Sequence, residues 1–303
     1  MDVIRQVVIM FLLIAVGFLS YKLKIIDSAG TRALSSVVIH IANPATLFIA
    51  FQLESDVNFS ERITGLGLAA LLSVISLIIS VSTAFLLIRG ENKRKAVEQL
   101  SLILTNCGFM GIPLVRGVLG DEGVFYLAAF IAVNNLAVWT LGVIKMQGGR
   151  VSLACVLNTL KSPPIIAIAL GAAAFILRVK IPGVALETIG YAANLTTPLA
   201  MLTAGASIAC VDLKSLLKKS RLIYISFLRL IIIPLLTYAS FLPFKANPLM
   251  SGAVLAAAAC PSAAMCVILA VRYGGDSIYA SEIFAATTLL SMITLPVIMA
   301  LPL

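Results

Sequence analysis

Asn106, Gly108, Gly111 and Pro113 fall within eight residues of one apolar stretch, residues 100–117 (LSLILTNCGFMGIPLVRG). Pro113 has no N–H, and its ring crowds the carbonyl of Phe109, so the spacing predicts a helix interrupted there. The glycines lower the cost of unwinding. Residues 256–276 (AAAACPSAAMCVILAVRYGGD) repeat the pattern around Pro261, with Ser262, Met265 and many small residues beside it. Backbone groups freed in an apolar environment must face protein or a wet cavity. If the two interruptions cross, the half-helix N-termini would suit an anion, and the Asn106 side chain a carboxylate or an amide. The chemistry is recognition, not bond making. The bland alternative is that Asn106 caps a half-helix and binds nothing. Cys107 adjoins Asn106 in the first stretch, and Asn134 and Asn135 in a later one either line the cavity or bond a neighbouring helix.

The polar inventory argues against an enzyme. An activated nucleophile, a metal set or paired acids would be needed. The chain has one histidine, His40, and the apolar stretches hold no pair of carboxylates. The cysteines (Cys107, Cys155, Cys210, Cys260, Cys266) show no metal-ligand spacing and read as small packing residues, so no metal and no cofactor is expected. His40 reads as a packed or capping residue in preference to a proton relay. Arg229 either meets a substrate anion or snorkels to the interface. Glu282 reads as interfacial.

The elements that must position these groups are membrane helices. Hydrophobic residues make up 61% of 303 positions, charged residues 12%, and mean hydropathy is +1.09. Spans of about 20 apolar residues, not alternating in barrel fashion, are predicted at 4–22, 33–52, 63–88, 98–118, 123–145, 164–178, 184–209, 222–243, 248–271 and 277–301. Residues 151–160 are too short to cross and are placed along the membrane surface. The first span is too long for a signal-peptide core. Fifteen Lys and Arg fall in one set of loops and six in the other, which puts the basic loops in the cytoplasm and both termini outside. The net charge of +9 is therefore scattered loop by loop and gives no footprint for nucleic acid. Pro44 and Pro113 recur as Pro198 and Pro261, and each half holds five spans. The chain divides at 1–148 and 149–303 into two inverted repeats, the mark of a secondary transporter with a midplane site. A channel would show repeated pore motifs instead.

TNCGFMGIPLVRGVLGDEG resembles the fourth-helix signature of the auxin efflux carrier family, which includes plant PIN carriers and bacterial malonate or malate permeases. NPATLFIAF (43–51), TTPLAMLTAGASI (196–208), LAVRYGGD and ASEIFAATTLLSMITLP fit its second, seventh, ninth and tenth helices, so the resemblance covers nearly the whole chain. Many members carry a further polar residue, often Asn, just after the ninth-helix proline; here Ser262, Met265 and Cys266 stand there. The resemblance implies an all-α polytopic fold of ten helices in two inverted five-helix repeats, with helices four and nine broken and crossing, like bile-acid transporters and NhaA. It implies a scaffold of helices 1, 2, 6 and 7, a moving part of helices 3–5 and 8–10, and small organic anions as substrates. The expectation is an elevator-type carrier in a bilayer, such as a bacterial inner membrane, dimerising through its scaffold. A sodium-coupled symporter of the bile-acid type is the alternative.

Overall fold

The structure is a computed structural model, described over residues 2–52, 59–89, 93–147, 160–216, 219–244 and 247–302. It is all-helical; among the described residues the one β-type pairing is an isolated bridge, Thr105 to Ser262. The principal helices are α1 (Asp2–Lys22), α2 (Ser28–Ala50), α3 (Phe59–Leu87), α4 (Lys93–Ile103), α5 (Cys107–Met146), α6 (Pro163–Ile176), α7 (Gly183–Asn194), α8 (Thr196–Ala209), α9 (Ser220–Phe244), α10 (Pro248–Ala259), α11 (Ala264–Tyr273) and α12 (Ser277–Met299). Six of these, α1, α2, α3, α5, α9 and α12, are individually long and apolar enough to cross a membrane. The surface segment expected at 151–160 lies outside the described residues, except for Leu160.

At about 1.5 Å per residue, the 40 residues of α5 would reach about 60 Å, twice the hydrocarbon thickness. Gly120 resolves this. Its φ of 72° and ψ of −173° lie where side chains are not tolerated, and the helix doubles back there. A Cβ on Gly123 would meet Val115, and one on Gly111 would meet Leu127, so the two arms run side by side.

The prolines act differently from the sequence expectation. Wide π turns at Val38–Ala42, Cys107–Gly111 and Leu228–Ile232 each end two residues before a proline: Pro44, Pro113 and Pro234. A wide turn moves the backbone away from the ring and absorbs the missing donor. The chain stays helical through Pro44 and Pro113, and the interruption in the fourth span falls upstream, at residues 104–106. Pro198 likewise sits inside α8, which follows α7 with only Leu195 between them. Pro261 alone of the four matched prolines lies in a true break, between α10 and α11.

Two further sets of contacts fix the frame. Helices α1 and α8 pack backbone to backbone: a Cβ on Gly17 would strike the Leu202 carbonyl, and one on Gly205 would strike the Ile14 carbonyl and lie 2.7 Å from Phe18 N. Such small-residue contacts hold membrane helices together by close approach. On the face where α4, α9 and α12 begin, the buried Glu98 accepts Arg221 Nε at 3.0 Å and Tyr279 Oη at 2.8 Å, and Lys219 pairs with Glu282 at 2.7 Å. Asp276 caps α12 by accepting Tyr279 N at 3.0 Å and pairs with Arg94; the backbone bond, then Arg94, hold its carboxyl below the usual carboxylate range.

Gly205→Ala should lower the apparent melting temperature of the purified protein, because overpacking a tight contact costs about 1–3 kcal/mol. Gly67→Ala, at a glycine with nothing within 4 Å, is the control and should leave the melting temperature near wild type. Equal melting of both variants would contradict the close α1–α8 contact.

Candidate functional site

The two breaks cross and complete each other. Asn106 N donates to Pro261 O at 2.9 Å, and Ala263 N donates to Leu104 O at 3.1 Å. These two bonds form the Thr105–Ser262 bridge. Asn134, on the second arm of α5, clamps Thr105 from the side: Thr105 N donates to its Oδ1 at 3.1 Å and its Nδ2 donates to Thr105 O at 3.4 Å. Ser262 N donates to Thr287 Oγ1 at 3.2 Å. Arg229 Nη2 donates to Cys260 O at 2.8 Å. Arg229 is fully buried, which corrects the snorkelling alternative: the carbonyl released by the Pro261 break holds the guanidinium in the core.

A cavity of about 140 Å³ lies against the crossing. Its walls include Ser35, Asn43 and Leu47 of α2, Thr203 and Ser207 of α8, Pro164 of α6, Asn134, Asn135 and Val138 of α5, and Ile268 of α11. The first turns of two half-helices face it, through Cys107, Gly108 and Phe109 on one side and Ala264 and Met265 on the other. Helix N-termini present free N–H groups and positive dipole ends. No charged residue is among the described lining residues. Asn106 Nδ2 is a buried donor without a hydrogen-bond partner. Asn43 Nδ2 donates to Gly108 O at 3.1 Å, which leaves its buried Oδ1 without a partner.

Of the ten residues singled out in sequence, Asn106, Cys107, Gly108, Asn134, Asn135 and Met265 line this cavity. Gly111, Pro113, Pro261 and Ser262 do not, and each has a structural duty. A Cβ on Gly111 would lie 3.3 Å from Cys107 Cβ and 3.5 Å from Cys260 Sγ. Pro113 O accepts Gln6 Nε2 at 2.9 Å. Pro261 and Ser262 form the bridge itself. Asn135 Nδ2 donates to Ile131 O at 2.9 Å within its own helix. His40 is exposed, with Nδ1 2.9 Å from Ser36 O. Sequence reasoning missed Asn43, Thr105, Thr203 and Ser207; the Asn-Pro pair in NPATLFIAF was the available signal for Asn43.

On the side opposite Ser35 and Pro164, aromatic side chains close the space between helices. Phe51 of α2 meets Phe125 of α5 at 5.0 Å between ring centroids, and Phe125 meets Phe175 of α6 at 5.5 Å. The buried Arg62 guanidinium of α3 stacks on Phe125 at 4.5 Å and on Phe175 at 4.9 Å.

Comparison with known proteins agrees with this membrane architecture. The model of a family described as membrane transport protein matches residues 2–154 and 149–299. An uncharacterized transporter of Methanocaldococcus jannaschii is 28% identical over 294 residues, covering 93% of both chains. An uncharacterized transporter of Methanothermobacter thermautotrophicus is 25% identical over 300 residues, covering 96% of both. With apolar helices throughout and the family model matched along nearly its whole length, the chain belongs to the auxin-efflux-carrier-like family of membrane transport proteins and is an integral membrane protein.

Proposed function

We propose that the protein is a secondary transporter that carries a small carboxylate by alternating access. The observation that carries this reading is the convergence on one cavity of two half-helix N-termini and the unpartnered Asn106 Nδ2. A cavity walled by dipoles and amides, with no fixed lining charge, attracts an anion without trapping it as a lysine or arginine would.

Division of α5 at Gly120, with α4 joined to its first arm, α7 to α8 and α10 to α11, gives ten crossings in two halves of five. In this reading α1, α2 and α6–α8 form the scaffold, and α3–α5 with α9–α12 form the moving part. The basic-loop rule puts Ser35, Pro164, Ser207 and Ile268 toward the cytoplasm. The cavity then faces inward, and the Arg62–Phe125–Phe175 stack, which joins moving part to scaffold, is the outer closure. An elevator movement would break that stack and the Asn43–Gly108 bond together.

Asn106→Ala should weaken carboxylate binding about tenfold to a hundredfold, since a hydrogen bond to a charged group is worth about 1.5–3 kcal/mol. Titration of the folded variant against mono- and dicarboxylates checks this. If Asn106 only caps a half-helix, stability falls while the dissociation constant stays at the wild-type value, and the assignment fails.

Phe175→Ala should loosen the outer closure, because each cation–π contact contributes about 0.5–2 kcal/mol. Native Cys107 lines the cavity. In proteoliposomes, an impermeant thiol reagent on the outer side should label Cys107 faster in the variant than in wild type. Unchanged labelling would mean that the stack is not the outer closure.

A further inference from the structure

A second, much smaller cavity of about 10 Å³ lies behind the crossing. It is lined by Ser73, Ser76 and Ser80 of α3, Ile103 and Thr105 at the end of α4, and Asn134, among others. Thr105 and Asn134 also line the large cavity, so the two spaces share a wall. About 10–15 Å³ of such space holds one water or one small ion.

Two of the serines around it have committed their protons elsewhere. Ser73 Oγ donates to Ala69 O at 2.6 Å, and Ser80 Oγ donates to Ser76 O at 2.9 Å. Asn134 Nδ2 is held by Thr105 O. Ser76 Oγ shares a hydrogen bond with Thr237 Oγ1 at 3.2 Å. What the Ser73 and Ser80 hydroxyls retain is lone pairs. Thr105 Oγ1, on a residue only 4% exposed, has no hydrogen-bond partner at all. The cavity also meets the C-terminal end of α4, where the last carbonyls lack helical partners and the dipole is negative.

The other break shows what such a helix end takes up. Just beyond α10, the Cys260 carbonyl accepts the fully buried Arg229 guanidinium of α9. In the two-halves reading, on which this comparison rests, α3 stands to α4 as α9 stands to α10. Helix α3 offers serines where α9 offers an arginine. We propose that the small cavity binds one monovalent cation of sodium size, coordinated by the Ser73, Ser80 and Thr105 hydroxyls. The ion supplies at the end of α4 the positive charge that Arg229 supplies at the end of α10. No carboxylate is among the described lining residues, so a divalent ion would find too little negative charge to offset its dehydration. Across the shared wall, the cation sits on the negative end of one half-helix and the carboxylate on the positive end of the next.

The test uses the purified protein without any carboxylate, so its failure leaves the anion site untouched. Melting temperature is measured as sodium chloride replaces choline chloride at constant ionic strength. Bound cation raises stability by mass action, so a saturable rise with sodium is expected. Ser73→Ala should move the sodium midpoint upward about tenfold, the effect of losing one contact of hydrogen-bond strength, with the choline melting temperature nearly unchanged. Thr105→Val, which removes the unpartnered hydroxyl at constant shape, should do the same. A bridging water in place of an ion gives equal melting in sodium and choline. That result, or a wild-type sodium midpoint in both variants, overturns the proposal.

Discussion

A backbone amide or carbonyl left unpaired in hydrocarbon costs roughly 2–7 kcal/mol, so a helix can be interrupted at midplane only where something else completes it. Here each interruption completes the other, through Asn106 N to Pro261 O and Ala263 N to Leu104 O. The remaining groups are met by single side chains: Asn134 on Thr105, Thr287 on Ser262, and Arg229 on Cys260. Helices α5, α12 and α9 are thus each tied to the crossing by a side-chain hydrogen bond. The half-helices end at one place, where Thr105 and Asn134 separate two cavities; in the proposed reading their opposite dipole ends suit one space to an anion and the other to a cation.

In the proposed reading this arrangement reconciles a membrane interior with a polar ligand. A lysine or arginine on the cavity wall would carry its own desolvation cost and release an anion slowly. Peptide dipoles cost nothing further once the helices are packed, and they travel with the helices that carry them. Among the described residues the one fully buried guanidinium, Arg229, donates Nη2 to a backbone carbonyl, keeps Nε and Nη1 without hydrogen-bond partners, and is absent from the cavity lining. In the proposed alternating-access reading, the moving and fixed parts meet at contacts of modest strength, the Asn43–Gly108 bond and the Arg62–Phe125–Phe175 stack. By contrast, α1 and α8 approach so closely at Gly17 and Gly205 that they must move together.

Much of this was legible in the sequence for physical reasons. Helix spans follow from runs of apolar residues, and the TNCGFMGIP block marked the fourth span as special because glycine, asparagine and proline rarely gather in a membrane helix without cause. The location of the break was less legible. Proline predicts that a hydrogen bond is lost, but a π turn can absorb the loss before it becomes an interruption, as at Pro44, Pro113 and Pro234. Arg229 was ambiguous because its partner is a carbonyl exposed only by the break in another helix, a tertiary fact. Asn43, Thr105 and the serines of α3 were overlooked because hydroxyls and amides in membrane helices usually bond their own backbone, as Ser73 and Ser80 do.

The central claim is that the crossing moves as a unit against α1, α2 and α6–α8. Its most direct test is a reversible lock across the proposed outer closure, where Phe51 and Phe125 stand 5.0 Å apart between ring centroids. Carboxylate uptake into proteoliposomes would be measured for the Phe51→Cys, Phe125→Cys double variant after cross-linking and again after reduction. The account predicts that the cross-linked protein binds carboxylate from one side only and does not transport, and that reduction restores transport. Uptake by the fully cross-linked protein at the reduced rate would contradict it.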